Sequence, residues 1–185
     1  MPLTDFVDTV QSPRFGFNSN TKRYIVGATV ELRLPMGFGV EADALYRRLN
    51  YEGNGTLLDV ITNNRTSGNA WEFPLLVKYK FPTKPFVRPF VDAGIAWDTL
   101  SGLTQSVTRT ISSGRVTTST SGAAELQNRT TTGFVMGAGV EIKALLIRLS
   151  PEIRYTRWGS QHFGDVNGLL RSNRNQGEFL LGITF

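Results

Sequence analysis

His162 is the only histidine of the chain, and Ser160, Gln161 and Asp165 stand beside it. A hydroxyl, an imidazole and a carboxylate are the parts of an acyl-transfer site, because histidine can take the serine proton while a carboxylate orients the ring. Nucleophile and base two residues apart on one loop is not a recognised arrangement, however, and a solvated polar loop is the plainer reading. Glu41 and Asp43 share a strand face, as the two acids of a glycosidase do, but basic residues of the same parity make structural pairing the better explanation. One histidine and no cysteine leave no metal-ligand set, and no Asp-rich loop of calcium type is present. No glycine-rich phosphate loop leads from a strand into a helix. No cofactor, metal or catalytic residue is therefore expected.

Strands must position these residues. From Asn69 to Thr99 two segments flank the turn Pro82-Thr83-Lys84-Pro85. In the first, Trp71, Phe73, Leu75, Val77, Tyr79 and Phe81 share a face, opposite Glu72, Lys78 and Lys80 with Pro74 and Leu76. In the second, Val87, Pro89, Val91, Ala93, Ile95 and Trp97 oppose Arg88, Asp92, Gly94, Ala96 and Asp98. Such alternation marks a sheet with one apolar and one polar face. Aromatic residues gather towards the ends of the apolar faces and aliphatic ones fill the middles, as in a lipid-facing strand with its rings at the two water interfaces.

The 185 residues suffice for one barrel or sandwich, read as a single domain over 1–185. No window approaches the apolar length of a transmembrane helix, which leaves a β-barrel open because only alternate strand residues meet lipid. The formal charge of +5 contains no Lys/Arg block, so nucleic acid is not expected. Met1-Pro2-Leu3-Thr4-Asp5 has neither the basic nor the apolar region of a signal peptide.

Residues 1–21 read as irregular. Strands are expected over Lys22–Leu34, Met36–Tyr51, the two segments of Asn69–Thr99, Thr130–Lys143, Leu145–Trp158 and Asn175–Phe185. Pro35-Met36-Gly37 is a tight turn. Glu52–Gly68 and Gly159–Arg174 read as polar loops. Leu100–Arg129 is the longest loop, within which Thr104–Thr110 and Arg115–Ser121 could form a hairpin beyond the membrane. Long and tight connections alternate, the asymmetry of bacterial outer-membrane barrels.

A soluble barrel alternates too, so the inward face needs a separate argument. Gly27, Gly37, Gly39, Gly94, Gly137, Gly139 and Gly182 share the parity of the charged residues, and small residues suit a crowded concave interior. The interior then holds Glu31, Glu41, Asp43, Glu72, Asp92, Asp98, Glu141, Glu152 and Glu178 against Arg23, Arg33, Arg47, Lys78, Lys80, Arg88, Lys143, Arg148 and Arg154. Nine acids against nine bases predict a neutral, paired lumen, because unpaired buried charge is costly. That network is a plug in a small barrel; a gated pore lining is the alternative. On the lipid side Tyr24, Tyr46, Trp71, Trp97, Phe134, Tyr155 and Phe179 are expected near the outer interface, and Phe38, Tyr79, Phe81 and Phe185 near the periplasmic one.

Trp71-Glu72-Phe73-Pro74-Leu75-Leu76-Val77-Lys78-Tyr79, followed by Lys84-Pro85-Phe86 and Asp92-Ala93-Gly94, resembles the central hairpin of small outer-membrane β-barrel proteins, the OmpA/OmpX-like "porin family" group. Gly182-Ile183-Thr184-Phe185 is similar to the C-terminal aromatic signal by which such barrels reach the assembly machinery. The resemblance covers Lys22 to Phe185. It implies an all-β, antiparallel, up-and-down barrel of eight strands in the outer membrane of a diderm bacterium, and no particular activity.

Seven full strands are visible where such barrels have an even number. Counting back from Phe185 makes Lys22–Leu34 the second strand, with Pro2-Leu3 the last residues of the first and the remainder, with the signal peptide, upstream of Met1. The edges of Lys22–Leu34 and Asn175–Phe185 are then expected to close weakly, with Arg14–Asn18 pairing with Lys22–Val26 as a hairpin. Partners expected are outer-membrane lipid, the assembly machinery and lipopolysaccharide, whose phosphates suit Arg65, Arg109, Arg115, Arg129, Arg171 and Arg174; the barrel is expected to be a monomer. The function expected is structural or adhesive, with a narrow channel second and a rim-located enzyme using His162 third.

Overall fold

The computed structural model describes the chain apart from residues 6, 10–14, 20–23, 58–59, 84–85, 112–113, 122–125, 145–146, 164–169 and 185. The described residues form strands β1 (Val7–Thr9), β2 (Phe15–Ser19), β3 (Val26–Arg33), β4 (Phe38–Leu57), β5 (Val60–Lys80), β6 (Val87–Ile111), β7 (Gly114–Ser121), β8 (Thr130–Ala144), β9 (Ile147–Trp158), β10 (Leu170–Ser172) and β11 (Asn175–Thr184). Each long strand pairs antiparallel with the next, in the order β4, β5, β6, β8, β9, β11. A helical turn, Pro35–Gly37, reverses the chain between β3 and β4. Met36 and Gly37 both have positive φ there, and the Leu34 amide donates to the Phe38 carbonyl at 2.9 Å.

The alternating faces sort as lipid and lumen. Trp71, Phe73, Leu75, Val77, Val91, Ile95, Trp97, Phe134 and Ile153 are exposed on the convex side, while Glu72, Leu76, Lys78, Asp92, Ala96 and Asp98 are buried on the concave side. Trp71 and Trp97 point outward, which rules out a lipocalin-like fold with its apolar face inside. At Gly137 a Cβ would lie 2.5 Å from Asp92 Oδ1 and 3.0 Å from Glu152 Oε1, so only the missing side chain leaves room for both carboxylates.

Segment Glu52–Gly68 is not a loop. β4 and β5 stay paired up to Leu57 and Val60, and β6 continues to Ile111 before returning as β7. β6 is 25 residues long and β5 is 21, whereas crossing a bilayer takes about 9–11. The outer halves therefore form a sheet in water, β2–β4–β5–β6–β7. Its outward face meets water rather than lipid, with Asn63 and Arg65 exposed, and its inward face holds Thr62, Asn64 and the buried Thr66, so the alternation that betrays the lipid-facing part is absent.

Of the expected hairpin between Arg14–Asn18 and Lys22–Val26, residues 14, 22 and 23 lie outside the described residues, and Phe15–Asn18 pairs elsewhere. β2 pairs with the outer part of β4 (Phe15 opposite Gly55, Ser19 opposite Tyr51) and β3 with its inner part (Val26 opposite Tyr46, Arg33 opposite Gly39). The two run in the same direction along one edge. Pairing with the already extended β4 satisfies backbone groups of both β2 and β3, opposite residues 51–55 and 39–46.

Closure is uneven. Leu3 and Phe179 donate backbone hydrogen bonds to Gly177 and Met1, the Met1 amino group bonds to Phe179, and β1 pairs with β10 above them. Below that level, among the described residues, neither β3 nor Leu181–Thr184 has a ladder partner on the facing edge. Thr29 and Gly182, of inward parity, are exposed there, as Val30 and Leu181 are on the other side.

A register shift between Ser67 and Asn69 gives β6 one residue more than β5. Gly102, with φ 58°, takes up the excess. The inward parity of β6 consequently changes from even to odd, and Leu100 and Leu103 both turn into the barrel. Replacing Gly102 with valine should destabilise the protein by about 1–3 kcal/mol, because a β-branched side chain is strained at positive φ. The urea midpoint of the folded form measures this.

Candidate functional site

Side chains fill the lumen in layers. At the periplasmic end Lys80 Nζ lies 2.6 Å from Glu31 Oε1 and 2.8 Å from Glu141 Oε2, with Arg33 at 3.2 Å and 3.6 Å from the same two residues. Above this, Lys78 Nζ approaches Glu41 at 2.5 Å, Glu152 at 3.8 Å and Asp92 at 4.0 Å, and sits 4.2 Å over the Phe90 ring. Arg154 shares the layer, bonding Asp43 and Glu152 at 2.7 Å and Glu41 at 3.2 Å. A third layer centres on Arg47, 2.9 Å from Asp98, 3.6 Å from Glu178 and 3.8 Å from Glu72. Gln176 joins it, accepting from Arg47 at 3.3 Å and from the Trp158 indole at 2.7 Å.

These charges do not balance inside. Among the described residues eight carboxylates are buried (Glu41, Asp43, Glu72, Asp92, Asp98, Glu141, Glu152, Glu178) against three buried Lys or Arg side chains, Arg47, Lys78 and Arg154, with the half-buried Lys80 answering Glu141. Arg88 and Lys143 are exposed and Arg148 half-buried, and among the described residues no carboxylate lies within pairing distance of the three. Parity gives the face of a residue but not its depth, and these three are at the strand ends, where the inward face meets water. Arg23 and Phe185 lie outside the described residues.

Rings border the lipid face at both ends. At the outer end Tyr46 and Trp71 are tilted at 5.1 Å, and Trp71 stacks on Phe73 at 6.3 Å. The hydroxyls of Tyr46 and Tyr155 bond Asn69 and Asn175. Trp97, Phe134 and Phe179 are exposed on the same side, as is Tyr24. At the other end Tyr79 contacts Phe38 at 5.0 Å and Phe81 at 5.1 Å.

The outer mouth is closed by the chain itself. Leu49, Tyr51, Ala70, Leu100 and Leu103 form an apolar ring above the Arg47 layer, and Phe163 fills it with Leu126 packed alongside. Residues 126–129, 161–163 and Ser172 hold one another. Asn128 donates to the Gln161 carbonyl, Gln127 to the His162 carbonyl, and the His162 and Phe163 amides to Ser172 Oγ. His162 is buried rather than solvated. Its Nδ1 is 2.8 Å from the Asn128 carbonyl and its Nε2 3.4 Å from Asp98 Oδ2. The carboxylate it meets is Asp98 of β6, not Asp165, which lies outside the described residues, and Ser160 is exposed. Ser172 Oγ accepts from the His162 and Phe163 backbone amides, the geometry of a structural contact.

Sequence reasoning missed Asn128, Phe163, Ser172, Gln176 and Trp158. The readable signal was the inward parity of Leu45, Leu49 and Leu76, apolar residues among charges. Of the outer arginines, Arg65 pairs with Glu52 at 3.6 Å and Arg174 bonds the Trp158 and Gly159 carbonyls. Arg109, Arg115 and Arg129 are exposed, and the side chain of Arg171 is outside the described set.

No curated protein matches the chain. A family model described as outer membrane protein beta-barrel domain matches residues 8–167, most of the sequence, and ends before β10 and β11. With a lipid-facing exterior, a charged interior and antiparallel strands joined in sequence order, the chain belongs to the outer-membrane β-barrel domain family and is a bacterial outer-membrane protein.

Proposed function

We propose that the protein acts at the cell surface as a structural or adhesive barrel, with its outer sheet as the contact surface. One observation carries this: β4, β5 and β6 continue far past the outer row of rings and, with β2 and β7, build a sheet in water. That sheet is rich in Thr, Ser and Asn, with Thr108 and Thr117 hydroxyls 3.1 Å apart across strands. The far edge of β7 has no ladder partner among the described residues, and a free edge is where an extended partner segment adds. Arg129, exposed at the base of this sheet, would meet lipopolysaccharide phosphates, while Arg109 and Arg115 lie at its tip. Layers of paired side chains across the lumen support a silent barrel rather than a channel, and no catalysis is proposed.

The test deletes the tip of the sheet. Gln105 and Thr120 are partners, so residues 106–119 can be replaced by Asn-Gly, which favours a tight hairpin. The shortened barrel should keep its heat-sensitive folded band on gels while cells displaying it lose attachment to matrix-coated surfaces. The native chain should remain electrically silent in planar bilayers at neutral pH. Discrete openings there, or undiminished attachment, would turn the reading towards the channel.

A further inference from the structure

Tyr46-Arg47-Arg48 on β4 and Tyr155-Thr156-Arg157 on β9 build the same arrangement on two strands that β5, β6 and β8 keep apart. Each tyrosine belongs to the outer row of rings. Each arginine follows it on the same face, roughly 6–7 Å further along the strand and away from the membrane centre. An asparagine stands opposite each arginine in the ladder, Asn69 of β5 opposite Arg48 and Asn175 of β11 opposite Arg157. The Tyr46 hydroxyl donates to Asn69 Oδ1 at 2.8 Å, and the Tyr155 hydroxyl donates to Asn175 Oδ1 at 2.7 Å. With its oxygen bound to the tyrosine, each asparagine keeps an NH2 group to give, and a guanidinium has donors alone. Arg48 and Arg157 are exposed, and among the described residues neither guanidinium has an ion pair or a hydrogen bond. A cluster of donors at the height of the headgroups calls for an anion. The other end of the wall lacks such a cluster, for beyond Phe38 and Phe81 stand Met36 and Thr83.

We propose that these two triads, Tyr46–Asn69–Arg48 and Tyr155–Asn175–Arg157, are binding sites for the phosphates of lipopolysaccharide, each holding one lipid against the barrel wall. The guanidinium fork fits two phosphate oxygens and the asparagine NH2 supplies a further donor. The neighbouring rings of Trp71, beside Tyr46, and Phe134, opposite Arg157, meet the upper acyl chains. The proposal rests on the reading of a surface barrel among lipopolysaccharide but not on adhesion. Attachment of cells and retention of lipid are separate measurements, and either can fail alone.

The test counts lipid on the folded barrel. The full chain, refolded in detergent micelles, is mixed with a lipopolysaccharide of short, uniform core and weighed intact by native mass spectrometry. The native sequence should retain two molecules, Arg48→Gln and Arg157→Gln one each, and the double variant none. Affinity at each altered site should fall about tenfold or more, as expected for losing charge-assisted hydrogen bonds. The double lysine variant keeps the charges without the fork and should recover only part of the retention. Arg109→Gln, at the tip of the outer sheet, should still hold two. All of these replace exposed side chains and should keep the heat-sensitive folded band. Lipopolysaccharide stripped of its phosphates should not be retained, and phosphatidylglycerol should be held far more weakly. Two molecules on the double glutamine variant, retention of the dephosphorylated lipid, or equal retention of phosphatidylglycerol would overturn the proposal.

Discussion

Replacing Arg154 with methionine should cost about 3–5 kcal/mol of stability, the largest loss expected from any single lumenal change. The guanidinium is buried and joins Asp43, Glu152 and Glu41. Its removal leaves three carboxylates in low dielectric with only Lys78, already 2.5 Å from Glu41, to answer them. The size of the effect comes from these orphans and not from the lost attraction, since desolvating an ion nearly offsets what a buried pair gains. Adding Asp43→Asn and Glu152→Gln to the same chain should therefore recover much of the loss. Arg88→Met, at the exposed end of β6, should change little. Urea midpoints of the folded gel band in vesicles measure all of these. Additive losses across the series would mean a wet, screened lumen and would favour a pore.

On the opposite face Leu75→Arg should cost about 2–4 kcal/mol, the penalty for a cation near the middle of the lipid-facing band. Leu75 is exposed between Phe73 and Val77, midway between the outer ring pair Tyr46–Trp71 and the inner pair Phe38–Tyr79. Thr117→Arg, on the exposed strand β7 of the outer sheet, should leave the midpoint unchanged within about 0.5 kcal/mol. The contrast is diagnostic, because in water both positions are exposed strand residues and only lipid separates them. Equal, small effects would place Leu75 in water.

Within the bilayer the fold was legible because lipid enforces it: every outward residue from Trp71 to Phe81 must tolerate hydrocarbon, and its neighbours then carry what polarity remains. Outside the bilayer nothing enforces the pattern. Glu52–Gly68 reads as a loop although it is mostly strand, since Thr and Asn stand on both of its faces. The plug was illegible for another reason. Asn128 to His162 and His162 to Asp98 are contacts across loops and strands far apart in the chain, and no local periodicity encodes them. Depth was hidden too, so Arg88, Lys143 and Arg148 read as partners of acids that they do not reach. The shift at Gly102 lay in a segment read as loop, and it alone decides that Leu103 and Gln105 face inward.

The two rows of rings have a consequence for where the protein can reside. Ten residue steps separate Trp71 from Phe81. At roughly 3.3 Å per step and a tilt of about 40°, they bracket a hydrocarbon layer of about 25 Å. Bacterial outer membranes are thinner than average, and mismatch costs fractions of a kcal/mol for each ångström of excess. A thicker bilayer would draw Asn69 at one end and Thr83 at the other into its apolar zone, so hydrophobic matching favours insertion into thin membranes and opposes residence in thick ones.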